Sequence, residues 1–569
     1  MHAARRVDAL AGKAARPERG VPRACHAIAG RGPLTPTGAA LPAAIVLPGP
    51  VPAARAAVPA GGWATDAGVR VERDVVLRPG AVRGLRLPAS RWALSVTVRA
   101  VPGSALRVTS PAGRLVVDLR AGGDGRLTVR TAAGGPRTLA PAAAARRWTH
   151  RLELVRGPRG ALAVDGRRIP VAAVGAVRLA STGRRAVGLT ALTVTPTARR
   201  DALLLHRLGD LRSRTARGRF PLGEGDDGRL RFSGGWTSGF WPGALWAAAD
   251  LAPRGPYADW ALDASLARIG GEDTPIHDVG FMFGRSVAAA YARRCRAGAV
   301  TAQCRRLRAS GLAAADTLVR LSATAASGMI PTDATGPEAD TIIDSSMNLG
   351  LLTWATRVSG RERYAQLAGA HARRVQALLQ RADGSTIQLA VHDRATGALL
   401  RLGTRQGLAD TSTWARGQAW AIYGLADVGG ALGDRALVSA AERAARFWAA
   451  TAPARRTPPY DLLAGAAAPR DSSAAAIAAA GMYRLADACA RLPGACGAPE
   501  RWTAVARGTL DTALSAVSSA PPLGRLGGQA YAVGPRHGSW DDHAELIWGL
   551  DFALEAVAAR YGRSETGGR

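Results

Sequence analysis

Apolar positions change their period twice along this 569-residue chain. Residues 1 to about 60 hold no sustained period of either kind and are rich in Arg, Ala and Pro. From about 62 to 197 the pattern becomes short alternating runs rich in Val, Leu and Thr. Examples are Trp92-Ala-Leu-Ser-Val-Thr-Val-Arg99, Leu115-Val-Val-Asp-Leu119, Leu127-Thr-Val-Arg130 and His150-Arg-Leu-Glu-Leu-Val155. Gly, Pro and Asp-Gly turns such as Asp165-Gly166 separate them, which predicts an antiparallel, all-β sandwich. From Asp201 onward apolar residues recur at three and four, as in Arg361-Glu-Arg-Tyr-Ala-Gln-Leu-Ala-Gly-Ala-His-Ala-Arg-Arg374 and Leu437-Val-Ser-Ala-Ala-Glu-Arg-Ala-Ala-Arg-Phe-Trp448. Roughly 360 residues of paired helices fit six hairpins of roughly 60 residues each, and fit an open helical array equally well.

The chain is long enough for two or three domains. No apolar stretch approaches the roughly 20 residues of a membrane-spanning helix, so no membrane span is expected. A net charge of +32 raises the question of nucleic acid. Lys13 is the only lysine, however, and the arginines are scattered through Ala- and Gly-rich sequence with no nucleic-acid-binding motif beside them. No nucleic-acid partner is expected; the positive field would raise encounter rates with any anionic partner at low salt.

Five cysteines fall as Cys25, the pair Cys295 and Cys304, and the pair Cys489 and Cys496. Two close pairs predict two local disulfides and an oxidising compartment, with small buried thiols as the alternative. The stretch Gly38 to Val51, followed by small residues, resembles an export signal, although its prolines weaken the likeness. Residues 1–60 therefore read as a disordered leader or an export signal, and the protein as exported, with a cytoplasmic location as the alternative.

The chemistry concentrates at Asp278, in Ile276-His-Asp-Val-Gly-Phe281, and at Asp344, in Ile342-Ile-Asp-Ser-Ser-Met-Asn-Leu349. Carboxylates in apolar frames resist ionisation, and this brings their proton affinity toward neutral pH. Either Asp could instead cap a helix. Trp236, Phe240, Trp241 and Trp246 upstream, with Trp414, Arg416 and Trp420 downstream, offer flat faces for sugar rings and a cation for an acidic one. Trp246 and Trp420 could equally be core. Trp236 follows Gly234-Gly235 on an expected loop, and a buried Arg416 would need an anion, which a sugar carboxylate could supply. His277 reads first as a core histidine, and Asp471-Ser-Ser473 as a helix cap.

In order and spacing, Trp236-Thr-Ser-Gly-Phe-Trp-Pro-Gly243, His277-Asp-Val-Gly-Phe281, Ile342 to Leu349, Thr413-Trp-Ala-Arg-Gly-Gln-Ala-Trp-Ala-Ile-Tyr-Gly424 and Arg470-Asp-Ser-Ser-Ala-Ala-Ala-Ile477 resemble the unsaturated glucuronyl hydrolases, glycoside hydrolase family 88. The resemblance covers roughly residues 205 to 560. It implies a C-terminal, all-α (α/α)6 barrel over 201–562 that takes an anionic oligosaccharide substrate, in a multidomain chain whose β-sandwich at 62–197, read from its strand pattern, looks like a concanavalin-like jelly roll and would be a carbohydrate-binding or purely structural accessory. It also implies removal of a 4,5-unsaturated uronic acid from the non-reducing end of lyase products, by hydration of the enol-ether double bond, without metal or organic cofactor. By motif match Asp344 is the general acid and base and Asp278 its partner. Trp236, Gln388, Gln406, Arg416 and Trp420 would bind substrate.

Two positions depart from the family pattern. Gln388 stands where a His is usual, and Gly549-Leu-Asp-Phe552 replaces a Gly-Asp-Tyr-Tyr run. Gln keeps hydrogen-bonding capacity but carries no charge. These departures leave two other expectations open: an unsaturated rhamnogalacturonyl hydrolase, or a catalytically impaired glycan-binding protein.

Overall fold

The computed structural model describes the strands between Trp63 and Pro196 and residues 200–295, 301–454, 456–519, 522–530 and 543–562. The leader expected at 1–60, with Cys25, lies outside the described residues. The strands form two antiparallel sheets, one of eight and one of six. In the larger, Trp92–Arg99 runs between Val187–Pro196 and Thr149–Val155. The smaller shows the alternation that a one-sided sheet requires: Leu106 and Val108 are buried around a half-buried Arg107, and Leu119 and Val129 are buried beside exposed Arg120 and Arg130.

Helices follow from Arg200–Arg214 to Ile547–Arg560. Six segments form an inner ring: Phe240–Leu251, Val279–Phe283 with its continuation Ala289–Arg294, Ser345–Asn348 with Gly350–Ser359, Ala415–Leu432, Ser472–Arg491, and Ile547–Arg560. Each touches the next, and the last returns to the first. Their partners Arg200–Arg214, Tyr257–Leu266, Ala302–Ser322, Glu362–Leu379, Arg435–Thr451 and Pro499–Leu514 lie outside.

Sequence sorts the two rings. Inner helices are small-residue-rich and buried nearly all round, as in Ser472-Ser-Ala-Ala-Ala-Ile-Ala-Ala-Ala-Gly-Met482. Outer ones are amphipathic: Glu362–Leu379 buries Tyr364, Ala368, His371, Ala372, Val375 and Leu379 on a single face. Close approach needs glycine. A Cβ on Gly280 would lie 2.4 Å from the Asn348 Cβ, and one on Gly424 would lie 2.3 Å from Ser346 Oγ. The turn Ser345–Asn348 is thus held between two inner helices.

The ring is closed by a buried ion cluster. Arg207 Nε donates to Glu545 Oε2 at 2.8 Å, its Nη1 donates to Asp210 at 2.5 Å, and its Nη2 lies 3.2 Å from Glu224. Strand Pro221–Glu224 pairs with Glu545–Leu546, so the beginning and end of the helical region share one seam. The helix carrying Arg207 also packs on strands Val187–Pro196, Thr149–Val155 and Trp92–Arg99. Both expected cysteine pairs are bonded, Cys295 to Cys304 and Cys489 to Cys496. Among the described residues no helix is long and apolar enough to cross a membrane.

Removing the shared cation strands buried carboxylates, and this costs more than the pair itself is worth. Arg207→Met should therefore lower unfolding free energy by about 3 kcal/mol, measured by urea titration, whereas exposed Arg217→Met, whose nearest carboxylate is 3.8 Å away, should change it by less than about 0.5 kcal/mol.

Candidate active site

Asp278 and Asp344 stand at corresponding places, each immediately before an inner helix, and neither side chain caps its helix. The capping alternative therefore fails for both. Phe281 N donates to Asn348 Oδ1 at 2.7 Å, and His277 Nδ1 meets Ser345 Oγ at 3.1 Å, so the two acidic frames are bonded to each other. His277 Nε2 lies 3.3 Å from Asp278 Oδ1. That network assigns the imidazole proton to Nε2, with Nδ1 accepting from Ser345.

Burial dominates the electrostatics. Asp278 is pushed up to about 7 by burial, against a hydrogen bond from Asn348. Asp344 is pushed up to about 6, first by burial; the nearby Asp278 charge adds to the rise, while His277 and Arg416 oppose it. Asp344 Oδ1 is buried with no hydrogen-bond partner among the described residues. His277 is driven down to about 4, chiefly by burial, and is neutral at physiological pH. Two carboxyls and a neutral imidazole thus lie together, and the carboxyl protons leave in steps that belong to the pair.

Aromatic rings line this end of the barrel. Trp236, half-buried on the 3-10 turn Trp236–Gly239 and not on an open loop, has its centroid 5.1 Å from Trp548 and 6.1 Å from Phe281. Phe281 in turn lies 5.3 Å from Trp420. Trp420 is 1% exposed, as a core residue would be, yet its indole N–H finds no acceptor among the described residues.

Arg416, also 1% exposed, is answered from within the chain: Nη1 donates to Asp471 Oδ2 at 2.5 Å and to the Ala530 carbonyl at 2.7 Å. The expectation that its counter-ion would come from a sugar is corrected by Asp471, which caps its helix through Oδ1 and holds Arg416 through Oδ2. Trp548, which the sequence did not single out, stacks under Arg416 at 5.4 Å and donates to Ser473 Oγ at 3.1 Å. Its only sequence signal was an aromatic opening a helical stretch near the C-terminus. Gln388 and Gln406 are joined, Nε2 of the first donating to Oε1 of the second at 2.7 Å, and the Gln388 carbonyl accepts from Ile343 N at 2.9 Å, next to Asp344.

Deeper in the barrel the lining becomes charged. Arg285 leaves the π turn Gly284–Ala288 over the Phe552 ring and donates to Asp551 at 2.8 Å and Glu555 at 2.6 Å. Arg484 joins Glu555 and Asp427, both at 2.7 Å. Arg285, Arg484 and Glu555 themselves line a cavity of about 420 Å³ that runs from Gly280 and Phe281 toward the C-terminal ends of the inner helices at Arg357 and Arg491.

No family model matches the chain. Over 265 residues, 44% of this chain and 67% of the relative, it is 36% identical to an unsaturated glucuronyl hydrolase of Bacillus sp. (strain GL1). The chain belongs to the unsaturated glucuronyl hydrolases. An unsaturated chondroitin disaccharide hydrolase of Streptococcus agalactiae is 29% identical over 44% of this chain and 63% of its own length, so the matched segment spans about two thirds of these relatives. The crystal structure of the unsaturated glucuronyl hydrolase from Bacillus sp. GL1, responsible for the degradation of glycosaminoglycan, superposes over 65% of this chain and 95% of its own, at 30% identity and a TM-score of 0.54. A structure of such a hydrolase with dGlcA-Glc-Rha-Glc does so at 29% identity, a TM-score of 0.55, and the same two coverages. The neighbours are (α/α)6 barrel enzymes, and as a member of their family this chain is a glycoside hydrolase.

Raised carboxyl pKa values have a thermodynamic sign. The folded state keeps protons on Asp278 and Asp344 that the unfolded chain releases near 3.8, so their contribution to stability falls as pH rises from about 4 to 7. Asp344→Asn should therefore unfold at higher urea concentration than the parent at pH 8, with the difference shrinking toward pH 4.

Proposed function

We propose that the chain removes a 4,5-unsaturated uronic acid from the non-reducing end of oligosaccharides left by polysaccharide lyases. The observation that supports this most directly is the uncapped carboxyl pair, both members raised toward neutrality, on a rim with aromatic rings. Membership in the family supports assigning the family's hydrolase chemistry to such a pair.

In this reading Asp344 donates its proton to C4 of the sugar alkene as positive charge develops at C5, stabilised by the ring oxygen. Water adds at C5 and returns a proton to the Asp344 carboxylate, which resets the acid. The resulting hemiketal opens to a ketone, leaving a hemiacetal at C1 that expels the remaining sugar chain as an alcohol. Asp278 holds the sugar and raises the proton affinity of Asp344 through its charge. Trp236 stacks on the ring, Trp420 forms the floor and offers its unspent indole N–H, and Gln406 with the Arg416–Asp471 pair shapes the uronate subsite. None of these steps requires a metal or organic cofactor.

The strands from Trp63 to Pro196 make, in this reading, a jelly-roll sandwich that serves the barrel as an accessory module. Export is supported by the two bonded cysteine pairs.

Decay of the ultraviolet absorbance of the conjugated enol-ether acid, followed with chondroitin, hyaluronan, heparin, gellan and alginate lyase products, tests the activity and identifies the substrate together. Turnover of at least one is expected, and Asp344→Asn should reduce it by about a thousandfold while leaving binding largely intact. No turnover across the panel would overturn the proposal. The alkaline limb of kcat/KM should fall with an apparent pKa between about 6 and 7, as the acid form is lost. Because the Asp278 charge raises Asp344, the residual activity of Asp278→Asn should show that limb displaced to lower pH.

A further inference from the structure

The side-chain oxygen of Gln388 accepts three hydrogen bonds: from Thr404 Oγ1 at 2.7 Å, Arg405 N at 2.7 Å and Gln406 N at 2.9 Å. An amide oxygen has two lone pairs, so three donors exhaust it. The neighbouring amides are also tied. Thr404 N donates to Asp410 Oδ1 at 2.8 Å, Gly407 N to Thr404 Oγ1 at 2.8 Å, and Leu408 N to Asp461 Oδ2 at 2.9 Å. Five successive backbone N–H groups, 404 to 408, are thereby satisfied by side chains. Such a loop is ordered before any ligand arrives.

What the loop presents is chemical. Gln406 is turned toward Gln388, and Arg405 reaches Asp340 on the strand Glu338–Ile342, near enough to His277 to help lower its pKa. A neutral imidazole at position 388 would have one acceptor nitrogen with one lone pair and could not gather three donors. The Gln is thus matched to the loop it holds.

We infer that Gln388 is a positioning residue. It acts on substrate through the 404–407 loop, whose Arg405 and Gln406 it fixes beside the catalytic carboxyls, and does not itself touch the uronate. The inference rests on the function proposed above.

Gln388→Glu separates the two roles, because a carboxylate keeps the acceptor for all three donors, gives up only the Nε2–H that reaches Gln406 Oε1, and would repel an anionic sugar in direct contact. On a substrate that the parent turns over, Gln388→Glu should raise KM clearly less than Gln388→Leu does, because the loop backbone stays held while only the Gln406 side chain is released. Gln388→Leu and Gln388→His should raise KM by about tenfold or more, with a smaller fall in kcat. Amide hydrogen exchange on the unliganded full chain gives a readout independent of turnover. Peptides covering 404–407 should exchange about tenfold faster in the Leu variant and at the parental rate in the Glu variant. Unchanged exchange in the Leu variant overturns the inference, as does a KM in the Glu variant as high as in the Leu variant. A parent with no turnover on any lyase product would instead remove the proposed function, leaving the exchange result to decide whether Gln388 holds the loop.

Discussion

How closely the inner helices approach one another governs the geometry at the end of the barrel that carries Asp278 and Asp344. Gly280 and Gly424 let two helices press on either side of the short turn Ser345–Asn348, at distances where any Cβ would collide with Asn348 or Ser346. With that turn wedged, Asp344 has little freedom, and the same Asn348 that touches Gly280 also binds the Phe281 amide. Asp278 is thereby brought onto the rim that Asp344 occupies. The carboxyl pair owes its geometry to missing methyl groups more than to bonds made by the carboxyls themselves.

Its electrostatics follow from a second distinction. Several acids sunk in this barrel have a cation of their own: Asp471 has Arg416, Glu545 has Arg207, and Glu555 has Arg285 and Arg484; Asp551, also beside Arg285, is nevertheless raised to about 7 by burial. Asp344 has only the neutral His277 nearby and a distant share of Arg416, and Asp278 has the amide of Asn348. In the apolar company of Phe281, Trp420 and Trp548, an unpaired carboxyl lowers its energy by keeping its proton. The folded state bears a small penalty there, which active sites commonly carry in exchange for reactivity.

Local regularity was legible in the sequence and long-range pairing was not. Trp92–Arg99 is a strand at the bounds where its alternation lies, and Leu437 to Trp448 falls inside the helix Arg435–Thr451, because periods of two and of three to four are written into neighbouring residues. The cysteine pairs were readable because their partners are 9 and 7 residues apart. The two acidic frames stood out because an Asp among Ile, Val and Phe is conspicuous wherever it occurs. By contrast, Arg416 meets Asp471 at a separation of 55 residues, and Arg207 meets Glu545 at 338. Nothing in either segment announces the other. The three donors converging on Gln388 were equally hidden, since two of them are backbone amides, which every residue type carries.

The layer formed by Arg285, Asp551, Glu555 and Arg484 lies below the carboxyl-bearing rim, and Arg285, Glu555 and Arg484 line the cavity of about 420 Å³. With Asp427 bonded to Arg484, its charges join four inner segments of the ring. Segments laced together at that depth share any displacement, so a substitution in one of them is transmitted to the others.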